Sequence, residues 1–91
     1  MTDTIIVTRH QGLVEWLKTR GITGDVIPSA KAEDVRGKRV VGALPLYLAA
    51  EADSVVAVEY FCPPELRGQD LSAAQLDELG AKLSEFKVQR V

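Results

Sequence analysis

The chain has 91 residues, which is enough for one domain with a single, modest hydrophobic core. Apolar residues make up 46% and charged residues 26%, so burial can offset chain entropy and a disordered chain is not expected. Eleven Lys and Arg residues against thirteen Asp and Glu residues give a net charge of −2, which argues against binding to long nucleic acids.

Cysteine content and hydropathy narrow the class of protein further. Cys62 is the only cysteine, so neither an intrachain disulfide nor a cysteine-based metal cluster is expected. The chain also has one histidine, too few ligands for a transition-metal site of usual spacing, and no cofactor is expected. No basic segment precedes an apolar run, and no apolar stretch reaches about 18 residues. We therefore expect a cytoplasmic protein without a membrane span, and its small core favours a homodimer.

The chain opens with a predicted strand that is followed at once by a predicted helix. The β-branched run at residues 5–7 is typical of a strand covered on both faces, as in a parallel sheet. Leu13, Trp16 and Leu17 then fall at i, i+3 and i+4, which predicts an amphipathic helix. Gly21 is a suitable residue past its end.

The next segment repeats the alternation of strand and helix. Residues 25–28 predict a short strand near a sheet edge, because Pro28 has no N–H to donate to a ladder. Residues 32–34 predict one helical turn, for which Ser29 is the expected cap. Residues 39–43, which are apolar after Arg39, predict a third strand.

The second half of the chain adds a strand, a long loop and a longer helix. Pro45 suits the first turn of a helix that continues through residues 46–51, and residues 54–60 predict the fourth strand. Residues 62–70 form the only long irregular segment. Ser72 and Gln75 then form a capping box, which starts a helix. The apolar face of this helix is marked by Leu76, Leu79, Leu83 and Phe86. A short strand is expected at residues 88–91.

Strands that alternate with helices indicate parallel βαβ units. The sequence therefore predicts a single α/β domain over residues 1–91, Rossmann-like, with a mostly parallel sheet flanked by helices. Ligands of such sheets bind outside the carboxyl ends of the strands. That rule selects three segments, residues 8–12, 42–45 and 60–70.

The first of these segments has the most polar character. Thr8, Arg9, His10 and Gln11 lie between a buried strand and a helix start, whose unpaired N–H groups favour an anion. Arg9 adds a fixed charge with planar donors, and His10 is the type of side chain that titrates near neutral pH. Together they could hold a phosphate and move a proton beside it. Two alternatives carry equal weight: Arg9 pairs with a surface carboxylate, and His10 caps the helix or faces water.

The other two segments offer a close backbone approach and a second guanidinium. Small residues around Gly42, Leu44 and Pro45 allow a ligand to approach the backbone, although tight packing of strand against helix is the simpler explanation. Arg67 and Gly68 lie in the long loop, where a guanidinium against a phosphate would make the loop a lid. A solvated connector is an equally simple account of that loop.

Several well-known catalytic motifs are absent from the sequence. It contains no GxxxxGK, no GxGxxG and no GxSxG, and its Asp and Glu residues show no spacing typical of paired carboxylates. An enzyme built on this sequence is therefore expected to work without metal, with His10 and arginines as its catalytic groups.

Three short motifs stand out along the chain: residues 7–12 (VTRHQG) with 15–17 (EWL), residues 40–45 (VVGALP) with 48–49 (LA), and residues 65–68 (ELRG) with Leu71. In this order and spacing they resemble a small accessory family of type III CRISPR systems, the Csx-type proteins described as ring nucleases. The resemblance covers residues 5–86, and Thr8 stands where the family more often has serine, another hydroxyl residue.

The resemblance implies a substrate, namely cyclic oligoadenylate, with cyclic tetraadenylate as the expected ring. It also implies a homodimer, because a ring of four identical nucleotides can share a two-fold axis with the protein. The expected catalytic residues are His10 and Arg9, and the expected ligand-binding residues are Thr8, Gln11, Gly12, Gly42, Leu44, Pro45, Arg67 and Gly68. Two alternatives stay open: a protein that sequesters the ring without cutting it, and a regulatory module of a CRISPR complex without a nucleotide site.

Overall fold

A computed structural model describes residues 3–91, which form five strands and five helical segments. In chain order the elements are β1 (Thr4–Val7), α1 (Gln11–Thr19), β2 (Asp25–Ile27), α2 (Ala32–Val35), β3 (Arg39–Gly42), α3 (Leu46–Ala49), β4 (Ser54–Glu59), a single 3₁₀ turn (Pro64–Leu66), α4 (Ala73–Glu78) and β5 (Lys82–Phe86).

The strands form one sheet in the order β2-β1-β3-β4-β5. The first four are parallel to one another, with Ile6 opposite Val26 on one side and Val41 on the other, whereas β5 runs antiparallel to β4. The chain moves outward from β1 to β2 and then crosses back over β1 to β3. This mostly parallel sheet flanked by helices confirms the predicted α/β fold.

The helices cover both faces of the sheet, and each face has its own core. Neighbouring residues of a strand point to opposite faces, so Ile6 and Val41 pack with Trp16 and Leu76 beneath α1 and α4. The adjacent strand residues pack beneath α2 and α3, in a second cluster made of Ile5, Val35, Val40, Leu48, Ala49, Ala52 and Val55. Burial on both faces explains why these strands are apolar without alternation.

The end of the chain differs from the prediction, because α4 stops at Glu78 and the next element is a strand. Gly80 has a φ of +73°, and its N–H donates to the backbone carbonyl oxygen of Asp77. The N–H of Ala81 donates to the backbone carbonyl oxygen of Leu76 over 3.1 Å. This is a Schellman closure, which ends a helix and favours glycine at the left-handed position. The predicted helical face through Leu83 and Phe86, and the predicted strand at residues 88–91, were therefore wrong.

The antiparallel strand closes a long excursion of the chain. Glu59 at the end of β4 lies opposite Lys82 at the start of β5, and the intervening residues 60–81 hold the loop, the 3₁₀ turn and α4. Residues 60–81 therefore begin and end side by side, at the end of the sheet where the parallel strands have their carboxyl ends.

The short helix α2 is capped differently from the prediction. Lys31 is its N-cap, and its N–H donates to the carboxylate of Asp34 over 2.8 Å. Asp34 is therefore the side chain that satisfies the helix start, and the prediction of Ser29 as the cap was wrong.

One carboxylate connects α1 to α4 beside the larger core. The indole Nε1 of Trp16 donates to Asp77 Oδ1 over 2.7 Å, and Arg20 Nη2 donates to the same oxygen over 2.8 Å. The Arg20 guanidinium also lies 4.9 Å from the centre of the Trp16 ring. Because Trp16 is fully buried, Asp77 supplies the acceptor that its indole N–H needs.

A second polar cluster crosses β3, β4 and β5. Ser54 Oγ donates to Glu85 Oε2 over 2.6 Å, and Arg39 Nε donates to the same oxygen over 3.3 Å. The Ser54 hydrogen bond is the main reason that the pKa of Glu85 lies below its ordinary value; burial opposes this shift, and the nearby Arg39 charge adds to it. Separately, the helices described over residues 3–91 are all too short and too polar to cross a membrane.

Candidate functional site

A cleft of about 410 Å³ opens at the carboxyl edge of the parallel strands. The ends of all four parallel strands and the loop before α4 contribute to its wall. The lining residues are Val7, Thr8, Arg9, His10, Leu13, Pro28, Gly42, Ala43, Ala57, Val58, Tyr60, Gln69, Leu71 and Leu76.

The strand order explains why a cleft forms at this edge. The connection from β1 leads to β2 on one side, and the connection from β3 leads to β4 on the other, so their loops diverge. In parallel sheets this reversal of strand order is the usual location of a ligand site.

Gly42 allows the two central strands to approach each other closely at the floor of the cleft. Its φ is +133°, and a Cβ at this position would lie 2.4 Å from the carbonyl oxygen of Val7. The close contact of Gly42 is therefore with the neighbouring strand β1 and not with a helix. Gly42 also lines the cleft, and the approach of a ligand to its backbone stays a prediction.

The turn after β1 presents polar groups to the cleft. The N–H of Thr8 donates to Ile27 over 3.0 Å, and the Thr8 hydroxyl accepts from the N–H of His10 over 3.1 Å. These bonds fix the turn against β2 and hold His10 at the N-cap of α1, where no side chain among residues 3–91 caps the helix start. Free N–H groups at a helix start favour an anion.

Arg9 is exposed and lines the same cleft. Its guanidinium has no hydrogen bond or ion-pair partner within residues 3–91, so the alternative that it pairs with a surface carboxylate is wrong. An unpartnered guanidinium at the mouth of a cleft is available to bind a carboxylate or phosphate.

The side chain of His10 is paired with a residue far away in the sequence. His10 Nδ1 and Asp70 Oδ1 form a hydrogen bond, although the two residues are 60 positions apart in the sequence. Both side chains remain accessible, with 58% of His10 and 74% of Asp70 exposed. The His10 side chain therefore faces a carboxylate and does not cap the helix.

Packing between α1 and the loop brings these two residues together. A Cβ on Gly12 would lie 1.8 Å from the carbonyl oxygen of Leu71, so only glycine permits this contact. Leu71 is itself buried in the larger core. Gly12 does not line the cleft; its visible role is to hold the end of the loop, and with it Asp70, against the start of α1.

The other predicted site residues lie outside the lining of the cleft. They are Gln11, Leu44, Pro45, Arg67 and Gly68. Arg67 is exposed and its guanidinium has no partner within the described chain. Gln69, two positions further on, does line the cleft. Roles for these residues in ligand binding stay predictions.

The structure adds residues that the sequence did not single out. Asp70, Tyr60 and Pro28 contact or line the site; Pro28 follows β2, whereas Tyr60 and Asp70 lie in the segment between β4 and α4. Tyr60 is 41% exposed. No local spacing identifies them, because their approach depends on sheet order and on the path of residues 60–71. Within residues 3–91, no three His, Cys, Asp or Glu side chains are close enough together to hold a metal ion.

The strand order and the cleft define a small doubly wound α/β protein of flavodoxin-like strand order, with a cleft at the switch point and a reversed last strand. The chain belongs to the family described as Putative CRISPR-associated protein (Cas_VVA1548), which matches residues 5–89. No curated protein and no solved structure matches the chain. The protein is thus CRISPR-associated, as the three sequence motifs predicted.

Proposed function

We propose that this CRISPR-associated protein is a ring nuclease of type III systems, which binds cyclic oligoadenylate and cleaves it without metal. Cyclic tetraadenylate is the expected substrate. The observation that carries the proposal is that an unpartnered guanidinium, Arg9, and a paired imidazole, His10, line one cleft at the carboxyl edge of the sheet.

The rest of the cleft suits the other parts of a nucleotide. Beyond the polar turn its wall is mainly apolar, with Leu13, Val58 and Leu76 among the lining residues. Tyr60 offers an exposed ring on which a base can stack, a contact worth roughly 1–3 kcal/mol per base. A site with a cationic end and an apolar, aromatic wall favours a nucleotide over a bare anion.

The proposed reaction is an internal transfer of the phosphodiester. A ribose 2′-OH attacks the adjacent phosphorus in line, so an O2′–P bond forms as the P–O5′ bond breaks. The 2′-OH proton leaves to a base and O5′ gains a proton, which gives a 2′,3′-cyclic phosphate and a 5′-hydroxyl. Arg9 and the N–H groups at the start of α1 stabilise the phosphate charge, while His10 acts as general base or acid.

The paired carboxylate favours cleavage over simple sequestration. A protein that only captures an anion gains no affinity from a carboxylate beside its binding cation, because Asp70 repels a phosphate. A proton-transferring imidazole, in contrast, is commonly oriented by a carboxylate.

We expect the active form to be a homodimer that aligns its two-fold axis with that of the ring. Each protomer would then contribute one Arg9 and one Arg67, so four guanidiniums meet the four phosphates. Light scattering with and without cyclic tetraadenylate tests this; monomer alone at micromolar concentration under both conditions contradicts it.

The decisive experiment is incubation of the protein with cyclic tri-, tetra- and hexaadenylate in chelator, followed by chromatography of the products. We expect linear products ending in 2′,3′-cyclic phosphate from cyclic tetraadenylate, with Arg9→Ala binding the ring more weakly. An intact ring that is tightly bound identifies a sequestering protein, and cleavage that requires a divalent ion overturns the mechanism. An intact ring without binding overturns the proposal and favours a regulatory module.

A further inference from the structure

The geometry points to Asp70 as the positioning residue for proton transfer, and it assigns His10 Nε2 as the general base. This inference rests on the proposed function and deepens it, because that function leaves the role of His10 between base and acid. The observation is the hydrogen bond between His10 Nδ1 and Asp70 Oδ1, made at the mouth of the cleft.

Both partners are held by their backbones before any ligand arrives. The N–H of His10 donates to the Thr8 hydroxyl, and the carbonyl of His10 accepts from the first turn of α1. Asp70 precedes Leu71, which is buried in the core and lies against Gly12. Two exposed side chains would usually make a transient pair, but fixed backbones on each side lower the entropy lost in forming this one.

The direction of the bond determines which nitrogen is available. An ionised carboxylate only accepts hydrogen bonds, so the imidazole proton of neutral His10 lies on Nδ1. Nε2 then carries the lone pair, and it is the nitrogen that remains for a substrate in the cleft. When Nε2 takes a proton, the ring becomes an imidazolium, whose charge the Asp70 carboxylate stabilises.

The step is balanced within the proposed reaction. Nε2 of His10 accepts the 2′-OH proton as the O2′–P bond forms and the P–O5′ bond breaks, and O5′ takes a proton from water. The proton on the imidazolium returns to solvent, which restores neutral His10. Asp70 keeps its charge throughout and touches no reacting atom, so it is a positioning residue.

The test uses the fact that His10 is the only histidine of the chain. A long-range ¹H–¹⁵N spectrum therefore reports the protonated nitrogen of His10 without ambiguity, in the free protein and without any activity assay. At about pH 8.5, where histidines are ordinarily neutral, we expect the Nδ1–H form in the wild type. In Asp70→Ala the ring should move to the Nε2–H form that a free imidazole prefers.

Glu65→Ala is the matched control, because Glu65 is an exposed carboxylate in the same loop whose side chain has no partner within residues 3–91. It should leave the His10 spectrum unchanged. With cyclic tetraadenylate, Asp70→Ala should lower the saturated single-turnover rate by roughly 10²-fold. Its affinity for the ring should stay equal or rise, since a repulsive carboxylate is gone, and a merely structural role would lower both.

The same nitrogen protonated in the wild type and in Asp70→Ala overturns the inference, and so does a saturated rate within about threefold of wild type. An intact ring with the wild-type protein overturns the proposed function and the assignment of a base together. The spectrum separates the two failures, because it reports the His10–Asp70 pair whether or not the ring is cut.

Discussion

Replacing Asp77 with alanine should destabilise the domain through Trp16. The carboxylate accepts from the indole Nε1 at 2.7 Å and from Arg20 at 2.8 Å. Trp16 is fully buried, so without Asp77 its N–H loses a charged acceptor, which costs about 1.5–3 kcal/mol. The Arg20 pair is half exposed on both sides and adds only about 0.2–1 kcal/mol.

We therefore expect Asp77→Ala to lower the free energy of unfolding by about 2–3 kcal/mol. For a domain of this size, each kcal/mol corresponds to roughly 4–8 °C in Tm. Asp77→Asn keeps an oxygen that can accept from the indole N–H, so it should lower the free energy of unfolding by about 1 kcal/mol or less. The assay is urea unfolding followed by the fluorescence of Trp16, the sole tryptophan.

The control is Glu78→Ala, the neighbouring exposed carboxylate of α4, which has no side-chain partner within residues 3–91. It should stay within about 0.5 kcal/mol of wild type, as surface substitutions usually do. An Asp77→Ala variant as stable as Glu78→Ala would refute the argument that the indole N–H depends on this acceptor.

Three further predictions concern Gly12, Glu85 and Arg67. Gly12→Ala should lower the free energy of unfolding by about 3 kcal/mol, because its Cβ would lie 1.8 Å from the carbonyl oxygen of Leu71. Thermal or urea unfolding measures this, and a loss under about 1 kcal/mol would contradict the packing of Gly12 against Leu71. Glu85→Gln should lower stability by roughly 0.2–1 kcal/mol near neutral pH. The Ser54 bond lowers the folded-state pKa of Glu85, so its contribution is lost as pH falls through that pKa; the gap from wild type should close in acid, and a constant gap would contradict this. Arg67→Ala should weaken binding of cyclic tetraadenylate in calorimetry by about 1.5–3 kcal/mol, and unchanged affinity would make the loop a connector.

Local patterns in the sequence predicted most of the fold. The inner residues of β1, β3 and β4 are apolar without alternation because both faces of the sheet are covered. This pattern can be recognised without knowing which strands are neighbours. The order of the strands was not predictable, since it depends on which edges meet after the crossovers form. The last element was mistaken because Leu79, Leu83 and Phe86 keep a helical spacing across Gly80, which ends the helix.

The candidate site was predictable on one side only. Thr8, Arg9 and His10 lie directly after a buried strand, so the rule for parallel sheets places them at the carboxyl edge. Asp70 belongs to a loop that was expected to lie near the same edge, but its partner was not visible. Its contact with His10 depends on the close approach of Leu71 to Gly12. A contact between two backbones, without a side chain between them, produces no periodic pattern of residue types in the sequence.

The reversed last strand has a consequence for how this family can diverge. Because Glu59 at the end of β4 lies opposite Lys82 at the start of β5, residues 60–81 begin and end next to each other. A segment with adjoining ends can gain or lose residues without moving the strands that anchor it, and each doubling of a loop adds only about 0.6 kcal/mol of closure entropy. The part of the cleft wall made by Tyr60, Gln69 and Leu71 belongs to this segment. Relatives can therefore resize the cavity for larger or smaller ligands by insertion or deletion here, while the turn after β1 stays unchanged.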